Sequence, residues 1–263
     1  MIKYFRINWI IFKNAYIRDL KIPGVVTSRI IFYLADISLT ILFFSVIFAN
    51  TETLAGWTFY QVLFLYAFAK IIISAHNAWT KNGLGRFSSE MVRRGDYDFF
   101  LTKPVNPMIL VSISRPHLYN FFGMFFEIGL AIYALIAGQI SLGFWNIVWF
   151  FVLALFGFVL YYFLLVLNAV PAFWFVRLWS LQDLMGRLNQ TMRYPIGVFP
   201  PIVRAIFMSV FPIIAISYLP VQTLFYEVKL EYIVYMILLT VFFGYITNLI
   251  WQLGQKHYSS ASS

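Results

Sequence analysis

From Trp145 to Asn168 the chain is almost free of polar side chains. As a helix rising about 1.5 Å per residue, that run is long enough to cross a hydrocarbon core about 30 Å thick. Four more stretches have the same character: Arg29–Ala49, Trp57–Ala75, His117–Gly138 and Glu231–Gln252. In lipid every backbone N–H and C=O needs an internal partner, so runs of this kind are helices. A water-soluble fold of 263 residues has too much surface to hide a chain that is 62% hydrophobic and 11% charged. The fold class is therefore all-α, a polytopic membrane protein of about six transmembrane helices. The 17 Tyr and 8 Trp suit the headgroup boundary, where a ring is apolar at one end and wet at the other. The absence of Cys excludes a disulfide framework and thiolate metal sites.

The chain reads as one transmembrane domain over residues 1–263. Residues 1–28 mix Lys3, Arg6, Lys13, Arg18 and Lys21 with Tyr4, Phe5, Trp9, Ile10, Ile11 and Phe12. That mixture predicts an amphipathic helix along the membrane surface, ended by Pro23-Gly24. Residues 77–115 form a long polar segment, and residues 253–263 a Ser-rich tail. Residues 171–230 have two readings. Hydropathy alone places a fifth span at Ile202–Leu219. Alternatively, Phe173–Tyr194 is a polar span facing the protein interior, and Pro195–Pro220 is a re-entrant segment broken by Pro200-Pro201 and Pro212.

Charge orients the chain. On the hydropathy reading, all of the 19 Lys and Arg lie on one face except Lys70, within a span, and Lys229. Basic residues are retained inside, so both termini are expected in the cytoplasm of a bacterium, across its inner membrane. The net charge of +9 is explained by this topology and calls for no nucleic-acid partner.

The polar segment contains Ser88-Ser89-Glu90-Met91-Val92-Arg93-Arg94-Gly95-Asp96-Tyr97-Asp98-Phe99-Phe100-Leu101-Thr102-Lys103-Pro104-Val105-Asn106-Pro107. Ser88–Arg94 reads as a short helix with Ser88 as N-cap and Gly95 as C-cap. Phe87 and Met91 give it an apolar edge, which suits docking into a groove on a partner. From Gly95 to Pro107 the segment resembles the signature of the permeases of ABC transporters of the type-2, exporter class, in a bacterial six-span branch. Phe173-Trp174, Tyr194-Pro195-Ile196-Gly197-Val198-Phe199-Pro200 and Phe211-Pro212 with Tyr218-Leu219-Pro220 resemble it further. Members of that class usually carry Glu where Asp96 stands.

The resemblance implies a membrane unit of two permeases, identical or related, embedded in lipid and driven by two copies of a cytoplasmic ABC ATPase subunit. The coupling residues would be Glu90, Met91, Arg93, Arg94, Gly95, Asp96 and Asp98. This chain has no Gly-x-x-x-x-Gly-Lys-Ser/Thr loop, so ATP and Mg would bind to the partner ATPase and this chain would be no enzyme. The ionisable residues Asp36, Glu127, Arg177, Asp183, Arg187 and Arg193 are candidates for a translocation pathway, because a charge in the bilayer needs a partner or water. Lys70 reads instead as an internal ion pair or a snorkelling side chain. Asp183 and Arg187, four apart on one helix, suit an ion pair. His76, His117 and His257 lack metal-ligand spacing and read as interfacial residues.

Two other classes compete. A secondary transporter or channel acting alone would use Asp36 and Glu127 as proton or ion sites. Such folds often carry inverted repeats, and the two halves here show no convincing similarity. An intramembrane lipid transferase could use Asp96 and Asp98, but Arg93 and Arg94 would oppose a metal ion there.

Overall fold

The computed structural model describes residues 10–15, 17, 24–117, 119–175 and 179–259. Most of the expected surface helix therefore lies outside the described residues. Its described part, 10–15, is helical and packs inward through Ala15, with Phe12 against the rings of Trp79 and Phe121.

Among the described residues five helices are long and apolar enough to cross a membrane. They belong to α1 (Val25–Phe48), α2 (Phe59–Trp79), α7 (Tyr119–Ala137), α8 (Phe144–Ala169) and α12 (Leu230–His257). Between α2 and α7 lie α3 (Lys81–Arg86), a π-helical turn (Phe87–Met91), α4 (Val92–Arg94), α5 (Asp98–Leu101) and α6 (Pro107–Ser112). After α8 come a 3-10 turn (Val170–Phe173), α9 (Trp179–Leu188), a second 3-10 turn (Asn189–Arg193), α10 (Pro201–Ser209) and α11 (Ile213–Phe225). No strand occurs among the described residues.

α2 is the central helix. It is buried from Val62 to Ala69 on all sides and packs along most of α7. A helix that is apolar all round belongs inside a bundle. α1 is the opposite case: Ile31, Phe32, Leu34, Leu39, Leu42 and Val46 point outward, as a helix facing lipid requires. α8 bridges the other half by packing against both α11 and α12.

Between α8 and α12 stands the bent pair α10–α11, whose axes meet at 94°, the geometry of a broken span or of a re-entrant loop. Among the described residues Phe173–Tyr194 holds no helix of spanning length, since α9 has 10 residues there, about 15 Å of rise. Ile202–Leu219 is not one continuous run either. Pro212, with no N–H to donate, stands at the break, and the second leg continues through Pro220 to Phe225. Pro220 leaves the Ile216 carbonyl without a helical donor. Gly157 of α8 comes against that carbonyl, where a side chain would collide with it at 2.7 Å.

The loop helix also differs from its expected form. It begins at Lys81, not at Ser88. The Ser88 hydroxyl donates to the Gly85 carbonyl at 3.0 Å within the π-helical turn, and its side chain is buried. A run of backbone bonds from Thr80 onward makes the N-terminus that the Ser88 reading placed seven residues later.

Candidate functional site

The rod formed by α3, the π-helical turn and α4 has two faces. Leu84, Phe87, Ser88 and Met91 are buried, three or four residues apart, as one face of a helix. Ser89, Arg93 and Arg94 are exposed. Glu90 sits between Arg86 at 3.8 Å and Arg94 at 3.6 Å, and Arg86 also reaches Asp96 at 3.2 Å. These pairs are solvent-accessible and contribute at most about 1 kcal/mol each. They set the rod's surface chemistry more than its stability. Gly83 lets the rod lie directly on α6, since a methyl there would overlap the Val111 and Ser112 carbonyls.

Gly95 ends α4 in the left-handed region at φ 78°, as its C-cap reading expects. That turn swings Tyr97 inward, where it is fully buried. Its ring meets Phe87 at 5.4 Å, Phe173 at 5.4 Å and Tyr258 at 5.2 Å, all edge to face. Phe87 stacks on Trp251 at 5.1 Å. Gln255 donates from Nε2 to the Tyr97 hydroxyl at 2.7 Å. Gly254 lies flat against the Phe173 ring, with no room for a side chain. Five aromatic rings thus join the loop, the end of α8 and the end of α12. Each such pair is worth about 0.5–1.5 kcal/mol beyond its buried area. Burial pushes the Tyr97 phenol up to about 12. Burial, then the Asp98 carboxylate beside it, pushes Tyr258 up to about 12 as well.

The sequence names Tyr97 only as a spacer between Asp96 and Asp98. Its partners Phe173, Trp251, Gln255 and Tyr258 are distant in the chain and carry no local signal. Met91, by contrast, is fully buried beneath the rod. Any coupling role for it is that of a support, with Arg93 and Arg94 presented to the outside.

The charges within the bundle form a second constellation. Lys70 pairs with Asp36 at 2.9 Å, joining α2 to α1, and the Tyr66 hydroxyl donates to the same Asp36 carboxylate at 3.3 Å. One turn further along α2, Ser74 donates to Glu127 of α7 at 2.7 Å. The other Glu127 oxygen is buried without a partner. Arg193, from the 3-10 turn, stands over the Tyr66 ring at 5.5 Å, and its Nε is also buried and unpartnered. Glu127 feels the charges of Lys70, Asp36 and Arg193 together. Asp183 and Arg187 do not join this group. They pair with each other at 3.0 Å on α9 and are exposed. Arg177 lies outside the described residues.

His76 is interior rather than interfacial. Its ring nitrogens lie 3.1 Å from the Thr80 hydroxyl and 3.1 Å from the Phe158 carbonyl, and it stacks on Phe158. Among the described residues no cluster of three or more His, Asp or Glu could hold a metal ion.

A bundle of five apolar helices and a bent pair among the described residues, with a structured loop cemented to two span ends, defines a multi-pass α-helical membrane protein. Residues 34–262 match the family model described as ABC-2 family transporter protein, and the chain belongs to that family. It is accordingly the membrane component of an ABC transporter, and permeases of this family work in general with an ABC ATPase. No curated protein matches the chain.

Proposed function

We propose that this chain is the permease subunit of an ATP-driven exporter whose motor is a separate ATPase gripping the loop between α2 and α7. In this reading two ATPase copies hold ATP and Mg. Two permeases, identical or related, stand side by side in the bacterial cytoplasmic membrane. The loop and both termini face the cytoplasm, where basic residues are retained. The exposed Arg93 and Arg94, with Glu90, Gly95, Asp96 and Asp98 beside them, form the gripped surface, and Met91 supports it from below. The cargo is hydrophobic or amphipathic, in keeping with the apolar walls. Its polar part would pass Asp36, Glu127 and Arg193, with Asp183 and Arg187 at the entrance.

The observation that carries this reading is the aromatic cluster. A push on the rod cannot be absorbed by loop bending, because Phe87 and Tyr97 are locked to Phe173, Trp251 and Tyr258. Interiors packed at this density transmit strain. The test is reconstitution with the cognate ATPase. Replacing Arg93 and Arg94 by Glu is expected to abolish transport-linked ATP hydrolysis while the chain stays folded. Unchanged hydrolysis and transport would remove the loop from the coupling path.

One observation favours a second reading, an ion- or proton-coupled transporter acting without an ATPase. The unpartnered, buried carboxylate oxygen of Glu127 is an arrangement such sites use. Transport by the purified chain alone, driven by an ion gradient, would establish it.

A further inference from the structure

Two adjoining depressions on the loop side share Arg86 and Arg115. The first is a polar cleft of about 480 Å³, lined also by Lys81, Asn82, Ser89, Glu90 and Asn168. The second is a groove of about 400 Å³, lined by Phe99, Phe100, Val105 and Leu110, with Lys103 at its edge. The two arginines stand where polar and apolar walls meet.

Position fixes the depth of this pair. Lys81 opens α3 just beyond the end of α2, Arg115 shortly precedes α7, and Asn168 lies in the last turn of α8. Three spans end here, so the cleft sits at the level of lipid headgroups. Its charge is unbalanced. Glu90 is the carboxylate among the cleft residues, and it already faces Arg86 and Arg94. Lys81 and Arg115 have no ion-pair partner among the described residues. Asn168 keeps a buried side-chain oxygen without a hydrogen-bond partner.

We propose that Lys81, Arg86 and Arg115 bind the headgroup phosphate of an anionic phospholipid from this leaflet, with an acyl chain in the groove between Phe99, Phe100 and Leu110. Guanidinium groups match phosphate geometry and form charge-assisted hydrogen bonds with it. The unpartnered Asn168 oxygen accepts from a headgroup hydroxyl. A zwitterionic lipid would bring an ammonium into a cleft already in positive excess, so the anionic class is preferred. A free phosphate would fill the cleft and leave the groove empty. The bound lipid would staple α3 and α5 to the ends of α2 and α7, making the loop's stiffness depend on leaflet composition. This site does not rest on the exporter reading, because its binding is a property of the chain alone.

Native mass spectrometry of the full purified chain, titrated with phosphatidylglycerol or phosphatidylcholine of matched acyl chains, tests it. Phosphatidylglycerol is expected to bind about tenfold more tightly. Lys81→Gln with Arg115→Gln is expected to abolish that preference and leave phosphatidylcholine binding unchanged. Both side chains are exposed and have no ion-pair partner among the described residues, so their replacement spares the fold. Arg93→Gln with Arg94→Gln removes the same charge from the rod's outer face and is expected to keep the preference. Equal affinity for the two lipids would overturn the proposal, as would equal loss in both double variants. Inorganic phosphate binding as tightly as phosphatidylglycerol would also overturn it, since the acyl chain in the groove would then contribute nothing.

Discussion

Tyr97 is the residue on which the loop turns, and its hydroxyl and ring are separable. Tyr97→Phe removes the bond from Gln255 and is expected to cost about 1 kcal/mol. Tyr97→Ala empties the centre of the cluster and is expected to cost about 3 kcal/mol or more. Thermal melting in detergent ranks the two, with the alanine variant also losing transport. The phenols add a pH signature. Tyr97 and Tyr258 titrate at about 12 in the fold against about 10 in an unfolded chain. Folding therefore favours their protonated forms, and that stabilisation is complete below pH about 10 and lost as pH rises towards 12. Melting temperature is expected to fall steeply across that window, and less steeply in Tyr97→Phe. A smaller test lies inside the bundle. Lys70→Met alone strands the Asp36 carboxylate and is expected to lower the melting temperature. Adding Asp36→Leu is expected to restore most of the loss, because removing both charges costs less than removing one. The sequence showed Asp36, Lys70 and Glu127 as charges needing partners, since a charge in an apolar run is conspicuous. It could not show which partner each would take. That depends on how α1, α2 and α7 are rotated about their axes, which is set by packing.

Among elements, the ones legible in the sequence are those whose evidence is local. A spanning helix is announced by its own composition, so α1, α2, α7, α8 and α12 match runs visible without any structure. Gly95 is legible for the same reason: a left-handed C-cap is a local requirement that Gly meets. The bent pair is legible only in part, as the segment broken at Pro212. Pro212 forbids a continuous helix, but the 94° turn is fixed by distant contacts. Ser217 donates to the Met192 carbonyl at 2.6 Å, and Tyr235 donates to the Met208 carbonyl. The start of the loop helix is illegible for the opposite reason. Ser88 carries a strong local signal for a cap, and burial against the bundle overrides it. Gly83 shows how closely that rod is laid down. Gly83→Ala would drive a methyl into the Val111 and Ser112 carbonyls, and backbone at a helix end cannot retreat cheaply. The rod is expected to lift from α6, with faster proteolysis within residues 83–103 and little change in the melting of the spans.

At the scale of the whole molecule, everything proposed for transport depends on which side the loop faces. The chain has no Cys, so single substitutions report position without background. Arg93 on the rod and Glu52 between α1 and α2 are both exposed, and α2 separates them by the length of a span. In intact cells a membrane-impermeant maleimide is expected to label Glu52→Cys and to spare Arg93→Cys until the membrane is opened. The reverse pattern would put the rod outside, beyond the reach of any ATP-driven motor, and would leave the buried Glu127 and the half-buried Asp36 as the chain's remaining route to energy coupling. With the expected pattern, the rod, the five rings and the ends of α8 and α12 form one connected body from the cytoplasmic surface into the bilayer. A motor acting on Arg93 and Arg94 then moves spans rather than a loop. A cross-link from Arg93→Cys to the ATPase should preserve hydrolysis and fail to drive transport in the Tyr97→Ala background, where the grip survives and the lever does not.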